Sequence, residues 1–375
     1  MFRAFKFRLE PNVNQTRELE IALETHRRLY NACLAQRKMA YESEKKSIRY
    51  TDQSAWFKTE RAINPYFARL NFSSAQATMR RLDKAFQAFF RRVKAGEKPG
   101  YPRFKGLDRF DSFTYPSVGD GARIIGNKLR LQHIGLVRFN LHRPIEGEIK
   151  TISIKRESNK WYVIAACELP GVIVPDVSDK PTTGIDVGIE SFLTAANGDW
   201  EPPVKPLKEA SRKLRVEQRS LSRKQKGSHN RKKQRARVRS LHARVANIRR
   251  DAHHKIASKL VNRYSAIAVE SLNIKGMLRN HRLARAIQDA GWNQFLGILK
   301  HKAESAGVGI FEVNARGTSQ TCPACGLVVK KTLNQRWHKC DCGYSTHRDH
   351  AAAQVIFARG VLAGMQPGSL NVGVS

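Results

Sequence analysis

Three acids and four cysteines are the residues of this chain whose types and settings suit chemistry. Asp186 lies inside the short apolar run Gly184-Ile185-Asp186-Val187-Gly188. An ionised carboxylate there is costly to desolvate unless cations, donors or a metal surround it. The flanking glycines let another backbone or a ligand come close. Glu270 ends the strand-like run Ile267-Ala268-Val269-Glu270, and Asp349 sits in His347-Arg348-Asp349-His350, directly before an alanine-rich helix from Ala351 to Leu362. Singly, each reads equally well as a helix cap or a salt-bridged acid. Together, each at the end of an element, they form a donor set suited to Mg²⁺, which prefers carboxylate oxygen.

The cysteines point to a second metal. Cys322-Pro323-Ala324-Cys325-Gly326 and Cys340-Asp341-Cys342-Gly343 place two thiolate pairs fifteen residues apart, the pattern of a zinc ribbon. The second pair is C-x-C, so His338 is an alternative to Cys340 as fourth ligand beside Cys322, Cys325 and Cys342, with Cys340 preferred for zinc's closed tetrahedral sites. Four protein ligands leave no open position for water, which makes the site structural. Its loop Lys330-Lys331-Thr332 is placed to touch a phosphate. Cys33 and Cys167 stand singly in apolar patterns as packed, reduced core residues. That usage fits a reducing cytoplasm rather than a secreted disulfide framework.

The elements that must position these groups belong to a chain of 375 residues, long enough for two or three domains. Its 68 Lys and Arg against 32 Asp and Glu leave a formal charge of +36, which calls for a polyanionic partner. No apolar run has spanning length and Met1-Phe2-Arg3-Ala4 does not begin a signal peptide, so nucleic acid is favoured over a membrane.

Phe5 to Leu9 alternates apolar and basic residues as a half-buried strand does. Helical spacing starts at Gln15, and a clearer helix runs from Ser74 to Ala95 with Met79, Leu82, Phe86, Phe89 and Val93 on one stripe. Arg80, Arg81, Lys84, Arg91 and Arg92 surround that stripe and are candidates for phosphate contact. A proline- and glycine-punctuated boundary from Glu97 to Lys105 adds Arg103 and Lys105. Short β-forming runs up to Cys167, with a turn at Glu157-Ser158-Asn159-Lys160, predict a small antiparallel barrel or sandwich, to which the first strand belongs.

After a linker from Pro175 to Pro181, the Asp186 strand is expected to pair with Phe192 to Ala195. Ser211 to Arg250 holds sixteen Lys and Arg against one acid, Glu217, divided by Gly227-Ser228. Leu214, Val216, Leu221, Val238, Leu241, Val245 and Ile248 form its thin apolar seam, so a helical hairpin that orders on nucleic acid is predicted. Arg223, Lys224, Arg231, Lys232 and Arg235 are its candidate contacts. Strands alternating with helices from here on predict an α/β layer fold.

These blocks resemble a known family. Thr183 to Gly188, Ala266 to Met277, Thr318 to Gly326 and Arg348 to Ala352 are similar to TnpB, a family of transposon-encoded RNA-guided nucleases related to type V CRISPR effectors, and Tyr30-Asn31 and Lys98 to Lys105 agree. The resemblance implies α/β plus β-barrel architecture: an RNase H-like RuvC nuclease domain with an inserted zinc ribbon, preceded by a wedge-type barrel with a helical recognition insertion. The expected boundaries are 1–10 and 105–178 for the barrel, 11–104 for the insertion, 179–318 and 345–375 for the nuclease domain with its basic hairpin at 207–256, and 319–344 for the ribbon. Asp186, Glu270 and Asp349 would be the catalytic carboxylates holding two Mg²⁺, with one structural Zn²⁺ on the cysteines. Guide RNA and double-stranded target DNA would be the partners of a cytoplasmic monomer carrying one RNA. The chain departs from the family pattern in its C-x-C pair, in His347 where an acid is expected, and in Ala351 where an asparagine is expected.

Three other readings compete. A repressor that has lost cleavage would leave three intact acids unexplained. Strand-transfer transposases on RNase H-type folds look like Asp, Asp, Glu in chain order, whereas the order here is Asp, Glu, Asp. A zinc-ribbon ribosomal or RNA-chaperone protein would account for charge and cysteines but leaves the acids idle.

Overall fold

The computed structural model describes residues 2–170, 176–332 and 334–367, arranged as two compact units, 1–171 and 172–375. Pro175 of the proline linker and the tail from residue 368 therefore lie outside the described residues.

In the first unit, β1 (Phe2–Glu10) is followed by α1 (Val13–Glu44), α2 (Tyr50–Ile63), the single turn α3 (Pro65–Ala68) and α4 (Phe72–Lys94). Six strands then complete a sheet: β2 (Ser112–Tyr115), β3 (Ala122–Ile125), β4 (Lys128–Leu131), β5 (Gly135–Phe139), β6 (Glu148–Glu157) and β7 (Lys160–Glu168). Their order is β2-β6-β7-β1-β5-β4-β3, all antiparallel, with β1 inserted between β7 and β5. Alternation along β1 buries Phe5, Phe7 and Leu9, and these join Phe113, Phe139, Met79 and Leu82 in one core. Each such side chain stabilises the unit by about 1.5–3 kcal/mol.

Helix α1 begins earlier than the periodicity indicates, because Asn12 and Gln15 form a reciprocal capping box. Helix α2 has no counterpart in the sequence reading: only Gln53 and Phe57 are buried along it, too few to show a period. Val93 is 50% exposed, so the apolar stripe of α4 ends with Phe86 and partly covered Phe89.

The second unit opens with β8 (Thr182–Asp186), β9 (Leu193–Ala195) and β10 (Trp200–Glu201). The basic hairpin follows as α5 (Pro206–Ser222) and α6 (His229–Arg263), then β11 (Ala266–Ser271), the turn α7 (Ile274–Met277), α8 (His281–Ala290), α9 (Trp292–Ala306) and β12 (Gly309–Asn314). A small hairpin, β13 (Trp337–Lys339) with β14 (Ser345–His347), leads into α10 (Arg348–Leu362). The main sheet has order β10-β9-β8-β11-β12, in which β8, β11 and β12 are parallel. Parallel strands require covered faces. Phe295, Leu299 and Leu260 cover one face, and Ile356 of α10 covers the other.

The two basic helices pack through Leu214, Val238 and Val245, whereas Val216 and Ile248 of the expected seam are exposed. Between them Gly227 has φ of 89°, and Ser228 caps α6 by accepting from the Arg231 backbone N–H at 3.2 Å. Among the described residues, no helix is long and apolar enough to cross a membrane.

Candidate active site

Parallel pairing sets two of the acids side by side. Val269 lies opposite Ile185, and the next step along each strand brings Glu270 and Asp186 to the same end of the sheet. The third arrives with α10, which crosses the sheet where side chains are absent. A Cβ on Gly184 would stand 2.6 Å from the Ala353 carbonyl oxygen and 2.7 Å from Phe357 Cα, and one on Gly360 would stand 2.6 Å from Ala268 Cβ. That crossing puts the first turn of α10, with Asp349 inside it rather than before it, beside the strand ends. Gly188 extends the same fit, since a Cβ there would be 2.8 Å from the Ser191 carbonyl oxygen and 3.7 Å from Asp349 Oδ2. Gly184→Ala is therefore expected to destabilise the unit by about 1–3 kcal/mol, as overpacking does. A urea midpoint equal to wild type would contradict the close crossing.

Asp186, Glu270 and Asp349 line one cavity of about 610 Å³, together with Arg282, Arg336 and Arg348. Burial pushes the Asp186 carboxyl well above its ordinary range; Glu270 and Asp349 push it further, while Arg348 and the Val187 backbone N–H oppose them. Burial likewise raises Glu270, against the Thr318 hydroxyl that donates to its Oε1 and against Arg359. The acids share the cavity without the mutual approach of a single coordination shell. Among the described residues, only the four cysteines bring all their ligand atoms within 4.8 Å of one another. Carboxylates gathered in one cavity are a donor set suited to hard cations.

Several supporting contacts are not legible in the sequence. Thr318 is 4% exposed, and nothing in its local pattern marks it beyond its place before Cys322. His347, where an acid is expected, caps α10 by accepting from the Asp349 N–H at 3.4 Å. His350 lies 3.0 Å from both the Ala196 carbonyl oxygen and Thr346 Oγ1, tying α10 to the loop after β9. Arg348 donates to the Thr332 carbonyl at 3.3 Å and to Ser319 Oγ at 3.5 Å, tying the start of α10 to the cysteine loops.

The cysteine sulfurs converge despite the short C-x-C spacing. Cys322 and Cys342 Sγ are 3.7 Å apart, and Cys325 and Cys340 Sγ are 3.5 Å apart. A disulfide needs about 2.0 Å. A tetrahedron with metal–sulfur bonds of about 2.3 Å has edges of about 3.8 Å, so the set fits zinc. Burial disfavours the Cys322 thiolate, but backbone N–H groups of Cys325 and Ala324, together with His338, outweigh it and bring the thiol down to about 6. His338 is fully buried outside the set of four, its Nδ1 in contact with Lys331 Nζ. It supports the cluster, and Lys331 is engaged there rather than left to phosphate.

The predicted nucleic-acid contacts divide by what holds them. Arg81 turns inward, donating to the Ser112 carbonyl at 2.9 Å and lying over the Phe110 ring, so the fold already uses it. Arg231 donates to the Leu221 and Lys224 carbonyls, both at 2.8 Å, and so closes the end of α5. Arg80 lies over Tyr50, Lys105 over Tyr30, and Arg92 buries its Nε. Lys84, Arg91, Arg103, Arg223, Lys232 and Arg235 are exposed, and Lys224 is half-buried.

Comparison with known proteins agrees with this architecture. The fold is that of compact CRISPR effectors: the chain superposes on Cas12f1 from a complex with sgRNA and target DNA with a TM-score of 0.57 at 16% identity, covering 91% of this chain and 82% of that one. Family models match at residues 165–281 ("Probable transposase"), 292–356 ("Cas12f1-like, TNB domain") and 1–46 ("Helix-turn-helix domain"). In the structure the last stretch is β1 followed by the single helix α1. A relative from Streptomyces pristinaespiralis, named "Putative RNA-guided DNA endonuclease", is 31% identical over 96% of this chain and 90% of its own. One from Escherichia coli K12, named "Putative RNA-guided DNA endonuclease InsQ", is 29% identical over 96% of this chain and 92% of its own. The chain belongs to the TnpB family.

Proposed function

We propose that this protein is a transposon-encoded, RNA-guided DNA endonuclease with a RuvC-like site. The observation that carries the reading is the meeting of Asp186, Glu270 and Asp349, from two parallel strands and a helix, in one open cavity. The curated relatives carry the same activity in their names. On this reading residues 179–318 and 345–375 form the nuclease domain, 319–344 a zinc ribbon, and 1–10 with 105–178 a wedge-type barrel into which the 11–104 helices are inserted.

When bound, two Mg²⁺ ions supply an activated water and charge stabilisation for the departing oxygen. Asp186, whose carboxyl feels both Glu270 and Asp349, would be the first of the residues to hold them. Glu270, steadied by Thr318, and Asp349, fixed by the crossing of α10, complete the set. The raised Asp186 carboxyl must lose its proton before it ligates, so metal binding releases protons and strengthens with pH. The four cysteines would hold one Zn²⁺ as a structural cross-link, and Arg348 ties their loops to the start of α10.

Sequence would be read by pairing between a bound RNA and one DNA strand, with the exposed cations of α4 and the α5–α6 hairpin holding backbone phosphate. The protein acts as a monomer with one RNA. Sequencing the RNA that co-purifies with it tests the guiding: one discrete species with a constant part and a variable end is expected. A random sample of cellular transcripts would refute guiding.

A further inference from the structure

A second cavity, of about 480 Å³, opens beside the carboxylate cavity and shares Gly188, Ile189 and Arg282 with its wall. Its volume suits a small ligand rather than a duplex. The floor is apolar, made by Phe192, Pro203 and Ala286, while Lys205, Lys208 and Arg285 stand around it. The single acid of the lining, Asp289, is 5% exposed and already engaged. It accepts from the Leu207 and Lys208 backbone N–H groups at 3.0 Å each and pairs with Arg249 at 3.4 Å. Among the described residues no carboxylate pairs with Lys205, Lys208, Arg282 or Arg285. Like charges gathered over an apolar floor repel one another until an anion joins them. The ligand that satisfies both parts has a flat apolar body and a phosphate.

We propose that this cavity takes one unpaired nucleotide of the DNA strand beside the phosphodiester to be cut. Its base lies on the Phe192–Pro203–Ala286 floor, and its phosphate meets Arg282, which belongs to both cavities. This rests on the nuclease reading and deepens it. Extracting a base is least costly where the strand is already unpaired, and covering its face on the apolar floor offsets part of that cost. The anchored nucleotide fixes the neighbouring phosphodiester against the three acids, an orientation effect.

The test is an abasic scan along the cut strand in the RNA-loaded complex with Mg²⁺. One position beside the cut is expected to slow cutting about tenfold when its base is removed, which corresponds to about 1.4 kcal/mol of lost anchoring. Ala286→Trp, which fills the floor, should slow cutting of intact DNA by a similar factor and erase the difference between intact and abasic DNA. Arg285→Ser, which leaves the floor unaltered, should reduce the difference without erasing it. 2-Aminopurine at the same position should be quenched in the Asp186→Asn complex and bright when Ala286→Trp is added. Cutting with a flat scan, or a sensitive position untouched by both variants, would overturn the pocket and leave the nuclease reading standing. A wild-type complex that binds its target and never cuts would remove both.

Discussion

Asp186→Asn is expected to lower guided cutting by roughly 10³-fold or more, the scale for one member of a mutually dependent catalytic set, while target binding persists. The same substitution should stabilise the protein in buffer free of Mg²⁺. Burial and two neighbouring acids hold the folded pKa of Asp186 above its unfolded value of about 3.9. The stability this carboxyl contributes is therefore complete below about pH 4 and lost as pH rises through the folded pKa. At pH 8 the asparagine variant should be more stable by on the order of 1 kcal/mol, the usual gain when a strained functional group is neutralised, and the gap should close toward pH 4. Saturating Mg²⁺ should reverse the order, since a cation held only by the folded wild type adds about 2.7 kcal/mol at a hundred times its Kd. Thermal melts of both proteins at several pH values, with and without Mg²⁺, read all three effects. A variant that melts below wild type at pH 8 without Mg²⁺ would sink this account of the buried acids, and one that still cuts at wild-type rate would remove Asp186 from catalysis.

Most of the site was legible because its parts are local. An acid in an apolar run between glycines announces both a strand end and a close backbone approach, and the structure supplies that approach at Gly184, against Ala353 and Phe357. Paired thiolates announce a ligand set whatever fold surrounds them, and the Cys340 sulfur lies with the other three even at C-x-C spacing. What stayed hidden depends on partners distant in sequence. Thr318 matters only because Glu270 faces it, and His350 only because it reaches the Ala196 carbonyl of the loop after β9. Counting positive charges could not separate Arg91, exposed on α4, from Arg81, turned beneath the same helix to Ser112. Helix α2 escaped because two buried residues do not make a period. The second cavity could not be foreseen at all, since Phe192, Pro203 and Ala286 are unremarkable until the residue before β9, the loop before α5, and α8 meet.

Zinc removal should have the largest effect on folding outside the carboxylates. Structural zinc contributes about 10–16 kcal/mol of apparent binding energy in isolated small domains, and the segment from Ser319 to Tyr344 has little else to hold it. Among the described residues its strand pairing is one isolated bridge, Thr321 with Val328, and the three-residue β13, whose partner β14 begins just beyond it, and Leu327, Val328 and Trp337 are exposed. A single Cys→Ser change should therefore release the metal and open this segment, read as rapid amide exchange there while β8 and β11 stay protected. The opening should reach the chemistry through Arg348, whose contacts with Thr332 and Ser319 hold the first turn of α10 next to Asp349. Cutting should fall although no carboxylate has been touched. The four sulfurs also make a sharper claim. Cys340→Ser should lose zinc as fully as Cys322→Ser, whereas His338→Ala should retain it and lose the Lys331 contact, its support of the Cys322 thiolate and some tightness of packing. Metal content measured on the three variants decides between a four-thiolate site and one that uses the histidine. Retention of zinc by Cys340→Ser with loss from His338→Ala would reverse the ligand assignment, and full protection of residues 319–344 in metal-free protein would show that the ribbon holds itself without zinc.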